Sequence, residues 1–408
     1  MHRLPGVLAT PMTISCVLMA ASSAHAQAAG GSITPPAGAK RFAADVRSNV
    51  AYASNVSGGD DTLATIRRIK PSDVTFQSGA TLRFQLLSGR NVLFLTGAAD
   101  ARRHVHNKIL DGEDYQVSAG AGSQLGPCSG LVGASFARRR SLVDDLALPV
   151  ATNITEQPLA SVSMNCASGA VIGSVQASAG KLRNRGKQQG FVDSDTRSGA
   201  ASVGYRNATL GDISLIAQYS KVYYGDDPLN ALPSGLSTTE DFEQYSVGVQ
   251  YARKIGMRLS GTAAVLVNQL NGTSAKSTGI SGNAALEYRA TPRIQLSLGY
   301  DRSNQASVLA NTSYLYAQSV DFKINYRLSQ RISLGAGVRG SRDQYRGGIP
   351  SPLQIRDSKQ LSGNVSGSMK IGRNAQIMLS AEHVERKADV RIYDFTSDNV
   401  TLGFTTQF

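Results

Sequence analysis

Beyond residue 26 the chain holds three histidines, His104, His106 and His383. His104 and His106 stand two apart, with Asp100 and Arg102 at the same parity, so on a strand all four share one face. Two imidazoles at that spacing can begin a metal site, but zinc needs three or four ligands and the sequence offers no third nearby. They read as titratable groups near a strand end. Gly335-Ala336-Gly337-Val338-Arg339-Gly340 matches the dinucleotide fingerprint G-x-G-x-x-G, which works only at a strand-to-helix turn. Here polar–apolar alternation runs through the motif and no helical pattern follows, so these glycines make room or curvature in a strand. A strained Gly-x-Ser-x-Gly elbow is missing. Catalysis, cofactor and metal are therefore not expected.

Charge is the abundant chemistry. The chain carries 42 Lys+Arg against 29 Asp+Glu, a net +13. Such a balance points to acidic partners: nucleic acid, lipopolysaccharide phosphates or acidic sugars. Zinc-finger spacing, RNA-binding aromatic signatures and recognition-helix patterns are lacking, so nucleic acid is set aside. Projected by alternation, Arg102, Arg139, Arg206, Arg258, Arg289, Lys323, Arg327, Arg339 and Lys370 face one interior, with Asp100, Glu287, Asp301, Asp321 and Glu382. The excess of basic groups suggests an electropositive lumen, since rings of basic side chains favour anions. The competing reading is that these charges pair across strands and only satisfy one another. Two basic clusters, Arg138-Arg139-Arg140 and Lys181 to Lys187, fall at external strand ends. Lipopolysaccharide phosphate is their expected target, and gathering of an acidic substrate is the sharper alternative.

The elements that position these residues are strands. From about residue 42, apolar and polar residues alternate over stretches of roughly ten. Val320, Phe322, Ile324, Tyr326 and Leu328 interleave with Asp321, Lys323, Asn325 and Arg327. Ile294 to Asp301, Gln244 to Tyr251 and Met257 to Val265 follow the same period. No apolar run beyond the N-terminus approaches the ~18 residues of a spanning helix. Short turns recur at Ser88–Asn91, Leu125–Pro127, Ser168–Gly169, Leu210–Asp212, Lys254–Gly256, Ala290–Arg293, Leu328–Arg331 and Gly372–Asn374, with hairpin chemistry. Longer polar connections lie between them, for example Gly225 to Glu240, Arg302 to Ser313 and Tyr345 to Arg356. Eight short turns and nine long connections give about eighteen strands, the first near Val46 to Ser54, with sixteen the alternative. An up-and-down antiparallel transmembrane β-barrel has that rhythm, with short turns in the periplasm and long loops outside.

Both ends of the chain agree with this. Residues 1–26 read as a cleaved signal peptide: His2 and Arg3, an apolar stretch from Met12 to Ala21, then Ala24-His25-Ala26. Residues 27–41 read as a flexible periplasmic segment and 42–408 as the barrel. The last strand places Val400, Leu402, Phe404 and Phe408 on one face, like the assembly signal of outer-membrane barrels, which implies the barrel-assembly machinery as a partner. Trp is absent, so the aromatic girdles fall to 15 Tyr and 11 Phe. Tyr205, Tyr219, Tyr223, Tyr251, Tyr288, Tyr300, Tyr316 and Tyr326 lie near strand ends, where girdles are needed. Cys128 follows one short turn and Cys166 precedes the next, at one end and one parity of adjacent strands. A structural disulfide is expected in an oxidising compartment.

The chain resembles the β-barrel porin 2 group, barrels found in exopolysaccharide loci of proteobacteria. The resemblance covers nearly the whole mature chain and rests on Gly89-Arg90-Asn91-Val92-Leu93-Phe94-Leu95, the mid-length loops, the size and the terminal Phe408. It implies an outer-membrane barrel that passes a secreted polysaccharide or acts as a porin. The reading is a pore, embedded among outer-membrane lipid and lipopolysaccharide, for an anionic saccharide or exopolysaccharide leaving the cell. An uptake porin and a plugged structural or adhesion barrel are the alternatives. A plug followed by twenty-two strands would not fit this length.

Overall fold

The computed structural model describes residues 42–141, 153–185, 193–224, 241–272, 276–306, 314–346 and 355–408. The expected leader, segment 27–41, Gly186, Lys187 and the connection 225–240 lie outside them. Eighteen strands follow in order: β1 (Phe42–Ala53), β2 (Asp73–Ser88), β3 (Asn91–His104), β4 (Gly112–Leu125), β5 (Cys128–Ser141), β6 (Asn153–Ser168), β7 (Val171–Asn184), β8 (Ser194–Asn207) and β9 (Gly211–Tyr224), then β10 (Phe242–Ile255), β11 (Leu259–Gly272), β12 (Lys276–Arg289), β13 (Ile294–Ala306), β14 (Tyr314–Arg327), β15 (Ile332–Arg346), β16 (Asp357–Ile371), β17 (Ala375–Ala388) and β18 (Phe395–Gln407). The helix α1 (Asp61–Arg67) sits in the β1–β2 connection.

Each strand pairs antiparallel with its sequence neighbours, and β1 pairs with β18 to close the sheet. Closure gives every strand a partner on both sides, which lipid demands because it offers no hydrogen bonds. The alternation then sorts side chains. Leu93, Val132, Val175, Leu215, Val265 and Leu402 point outward, and Val247 is 62 % exposed. A soluble sandwich would bury that face; here it is the surface presented to acyl chains. Among the described residues no helix is long and apolar enough to cross a membrane.

All eight expected short turns are at one end. In six of them glycine takes a positive φ: Gly89, Gly126, Gly169, Gly211, Gly256 and Gly372. The remaining two use a hydroxyl instead. Thr291 Oγ1 accepts from the backbone N–H groups of Arg293 and Ile294 at 3.2 and 3.0 Å. Ser329 Oγ accepts from Arg331 and Ile332 at 3.1 and 3.0 Å. Either device tightens the chain without a helix. Strand bounds differ in detail: β1 begins at Phe42, β13 runs on to Ala306, β15 ends at Arg346 and β16 begins at Asp357.

Cys128 and Cys166 stand directly opposite in the β5–β6 register and form a disulfide. The bridge closes a separation of 38 residues. In the chain-entropy picture a bridge of this kind stabilises by about 2–4 kcal/mol. Cys128→Ser is therefore expected to lower the temperature at which the folded, fast-migrating band converts on a gel. Reduced wild type should match it, and an unchanged transition would show the bridge to be idle.

The other end is less regular. Asp60 caps α1 by accepting from the Leu63 N–H at 3.0 Å. Leu63, 0 % exposed, packs with Leu315 of β14, Tyr345 of β15, Ile355 and Tyr393. The preceding Gly59 allows this docking: a Cβ there would come within 2.5 Å of the Ile392 carbonyl oxygen. The sheet also opens. Pairing of β12 with β13 stops at Gly282–Arg302, whereas β11–β12 continues to Asn271–Lys276 and β13–β14 to Ala306–Tyr314. Beyond the split, Gln244 Nε2 donates to the Asn304 carbonyl at 3.3 Å, and Ser277 Oγ meets Tyr316 Oη at 3.2 Å. Gln244 and Ser277 have inward parity, so the top of the β13–β14 hairpin has stepped off the wall and lies against the inner face of β10–β12. Asn268, Leu270 and Ser246 are buried beneath it, and Asn304 of the hairpin itself is buried against them. Tyr316, expected in a girdle, belongs to this inner packing.

Candidate functional site

The lumen wall is polar and much of its charge is paired. Arg102, Arg139, Arg206, Lys323 and Arg339 lie at the parity opposite to the exposed apolar residues of their strands. Arg102 lies 4.0 Å from Asp114 of β4, Arg206 3.1 Å from Asp212 of β9, and Lys323 3.7 Å from Asp321. Arg139 donates to Gln116 Oε1 at 3.0 Å and Arg339 to Ser319 Oγ at 3.3 Å. Two arginines outside the sequence-based set join them. Arg47 of β1 binds Asp100 through Nε at 2.8 Å, and Arg83 of β2 pairs with Asp45. Strand parity of β1 and β2 carried the signal for both, and cross-strand register supplies their acids. The middle of the lumen is therefore closer to balance than nine basic against five acidic residues suggested.

The unpaired cations gather at the short-turn end. Arg258 lies in the turn before β11, at the rim. Its carbonyl accepts from the Arg289 N–H at 2.7 Å, the Arg293 carbonyl from Arg327 at 2.8 Å, and the Arg331 carbonyl from Lys370 at 2.8 Å. Three pairs of like charge, each a turn residue beside a strand end, thus follow one another along β11–β16; all six residues are exposed, and the strand members Arg289, Arg327 and Lys370 have inward parity. Among the described residues none of these six has a carboxylate within ion-pair distance. Like charges placed opposite each other destabilise a sheet, and the rim keeps them three times over. The arrangement forms a basic collar along the β11–β16 third of one mouth, whose open coordination suits an anion.

The remaining expected chemistry is structural. Asp73 accepts from the backbone N–H of His106 at 3.0 Å and of Asn107 at 2.8 Å, tying down the β3–β4 connection. His104 Nδ1 faces Asp111 Oδ1 at 3.4 Å and His106 Nδ1 faces Asp73 Oδ1 at 3.4 Å, so the two rings have separate partners. Gly335 to Gly340 lie within β15. His383 pairs with Asp398 at 2.7 Å on the outer face. Phe404 faces outward, and the Phe408 N–H donates to the Ala44 carbonyl at 2.8 Å across the closing seam.

A closed eighteen-strand antiparallel sheet with an apolar exterior and a polar interior has the architecture of an outer-membrane β-barrel. Residues 243–408, from β10 to the C-terminus, match the family described as Putative beta-barrel porin 2. That is the group the sequence resembles. No curated protein matches the chain. Among solved structures the barrel is similar to Pseudomonas aeruginosa OccK2 (OpdF) in complex with glucuronate, at TM-score 0.51 and 9 % identity over 90 % of this chain and 98 % of that one. The siderophore receptor PirA from Acinetobacter baumannii aligns at TM-score 0.52 and 6 % identity over 93 % and 81 %. The chain spans 62 % of the FrpB iron transporter from Neisseria meningitidis, with 86 % of its own length covered, at TM-score 0.49 and 9 % identity. At these identities the likeness concerns the fold.

Proposed function

We propose that this barrel is a pore for an anionic saccharide that enters from the periplasm, the route an exported acidic polysaccharide takes. The basic collar carries the reading. Short turns mark the periplasmic end of such barrels, so the uncompensated cations Arg258, Arg289, Arg293, Arg327, Arg331 and Lys370 face the compartment from which an export substrate arrives. A cleft lined by one sign of charge raises the local concentration of its counter-ion. The structure of OccK2 with glucuronate gives a porin-like barrel that holds an acidic sugar. Uptake of a specific solute is the second reading, favoured by α1 and the β13–β14 hairpin, which narrow the external half of the lumen.

Single-channel recording across a salt gradient tests both. The wild type should select anions, and an acidic oligosaccharide should block more strongly from the periplasmic side than from the external side. Arg293→Glu with Arg331→Glu should shift the anion-to-cation permeability ratio on the order of tenfold toward cations. Equal selectivity in wild type and variant would sink the collar as the charge filter. Stronger block from outside would favour uptake.

A further inference from the structure

We propose that the outer face of β3–β10, at the external edge of the apolar band, binds the phosphate groups of an outer-leaflet glycolipid. Residue parity puts the basic side chains of this region on the lipid side. Arg103 shares the row of Leu93 and Leu95, Arg138 that of Val132 and Phe136, Lys181 and Arg183 that of Val175. Arg197 shares the row of Val203, and Lys221 that of Leu215.

Cross-strand contacts gather them into four neighbouring clusters along the outer face. Arg103 pairs with Glu113 at 2.6 Å. Arg138 donates to Tyr115 Oη at 2.8 Å, stacks 5.4 Å from its ring centre, and approaches Glu156 at 3.8 Å. Arg185 takes both Glu156 oxygens, at 2.9 and 3.0 Å, which raises its pKa above the ordinary guanidinium value. Asp195 receives Arg183 at 2.7 Å and Lys181 at 3.6 Å. Arg197 and Lys221 lie over the Tyr223 ring at 5.6 and 4.6 Å, and Lys221 reaches Glu243 at 2.6 Å.

The balance of these clusters points to a ligand. Among the described residues seven cations meet four carboxylates: Arg103, Arg138, Lys181, Arg183, Arg185, Arg197 and Lys221 against Glu113, Glu156, Asp195 and Glu243. Among the described residues Arg197 has no carboxylate at all within ion-pair distance. Exposed ion pairs contribute little to stability, so folding does not account for the surplus. Across the barrel the outer pairs Arg342–Asp357, Lys387–Glu385 and His383–Asp398 are separate, with Lys359 and Arg346 beside them, and no tyrosine ring holds their cations among the described residues. Planar guanidinium groups hold phosphate oxygens two at a time, and the tyrosines hold the cations in place.

A second feature lies just below. Ala119, Ala134, Ala160 and Ala179 are register neighbours across β4–β7, all exposed on the outer face. Flanked by Val117, Phe136, Val162 and Val175, this row of small side chains leaves a shallow trough. Acyl chains hanging from a phosphorylated sugar headgroup would lie there, which a soluble phosphate compound would not need. Phosphate above and acyl chains below together define a glycolipid.

The test is affinity of the refolded full-length protein for purified lipopolysaccharide, measured by native mass spectrometry after detergent exchange. Lys181→Gln with Arg197→Gln and Lys221→Gln should weaken binding by roughly 100-fold. Enzymatically dephosphorylated lipopolysaccharide should bind the wild type as poorly as the intact lipid binds the variant. Heat-modifiable mobility confirms that the variant is folded, and Lys323→Gln, on the lumen side, should bind like wild type. Equal affinity in wild type and triple variant overturns the proposal. Full competition by millimolar inorganic phosphate overturns it also, since that would make the belt a site for free phosphate.

Discussion

Leu63→Asp is expected to raise single-channel conductance severalfold while leaving the barrel intact. Leu63 is the fully buried centre of the small apolar cluster that fastens α1 over the external mouth, against Leu315, Tyr345, Ile355 and Tyr393. Truncating such a leucine costs about 2–5 kcal/mol, and an unpaired carboxylate in its place costs more. The residues holding α1 are few, so the helix leaves its seat rather than accept the charge. The strands lose nothing, because their ladders run from β1 round to β18 without α1. Conductance and heat-modifiable mobility measured on one preparation separate the outcomes. Higher conductance with normal mobility identifies α1 as the cover of the pore. Unchanged conductance would assign the narrowing to the β13–β14 hairpin alone, and Leu63→Met, which keeps the volume, should behave as wild type.

Deleting Phe408 is expected to remove most of the protein from the outer membrane. Its backbone makes the outermost rung of the seam, with the Phe408 N–H donating to Ala44 at 2.8 Å and the Ala44 N–H donating back at 3.4 Å. An unclosed seam would leave the edges of β1 and β18 unpaired in hydrocarbon, at several kcal/mol for each polar group. The ring is exposed and aligned with the outward face of β18. Quantifying the protein in outer-membrane fractions, beside its amount in the periplasm, tests this. Normal outer-membrane levels after deletion would show that the terminal aromatic is dispensable. Phe408→Tyr should retain most of the wild-type level.

Legibility in the sequence followed the range of the interactions. The eight short turns were readable because each rests on one residue, a glycine such as Gly169 or a hydroxyl such as Thr291. The Cys128–Cys166 pair was readable because parity and height follow from the two turns beside it. Arg47 and Arg83 were missed as wall residues, and Asp45, Asp114 and Asp212 as their neighbours' partners. Which acid meets which base depends on register between strands, and register across a long connection leaves no local trace. The collar escaped for a related reason. Arg258, Arg289, Arg327 and Lys370 were each assigned to the lumen by face, whereas their common height at the rim emerges only when β11–β16 are aligned. The inward step of β13–β14 is invisible to alternation, since Asn304 and Tyr316 keep the parity of outward residues while packing inside.

The order of strands in the sheet also bears on how the barrel can be made. Every ladder but one joins strands consecutive along the chain, so seventeen of the contacts are local in contact-order terms. The exception joins β1 to β18, and its rungs bring Val50 to Leu402 and Asp45 to Gln407. The entropy of closing so long a chain grows only as the logarithm of its length, but it falls entirely on this single ladder. The hairpins can therefore gather one after another as they emerge, and the last event concentrates nearly all the nonlocal cost. Kinetic control of the whole molecule then rests with its two terminal strands.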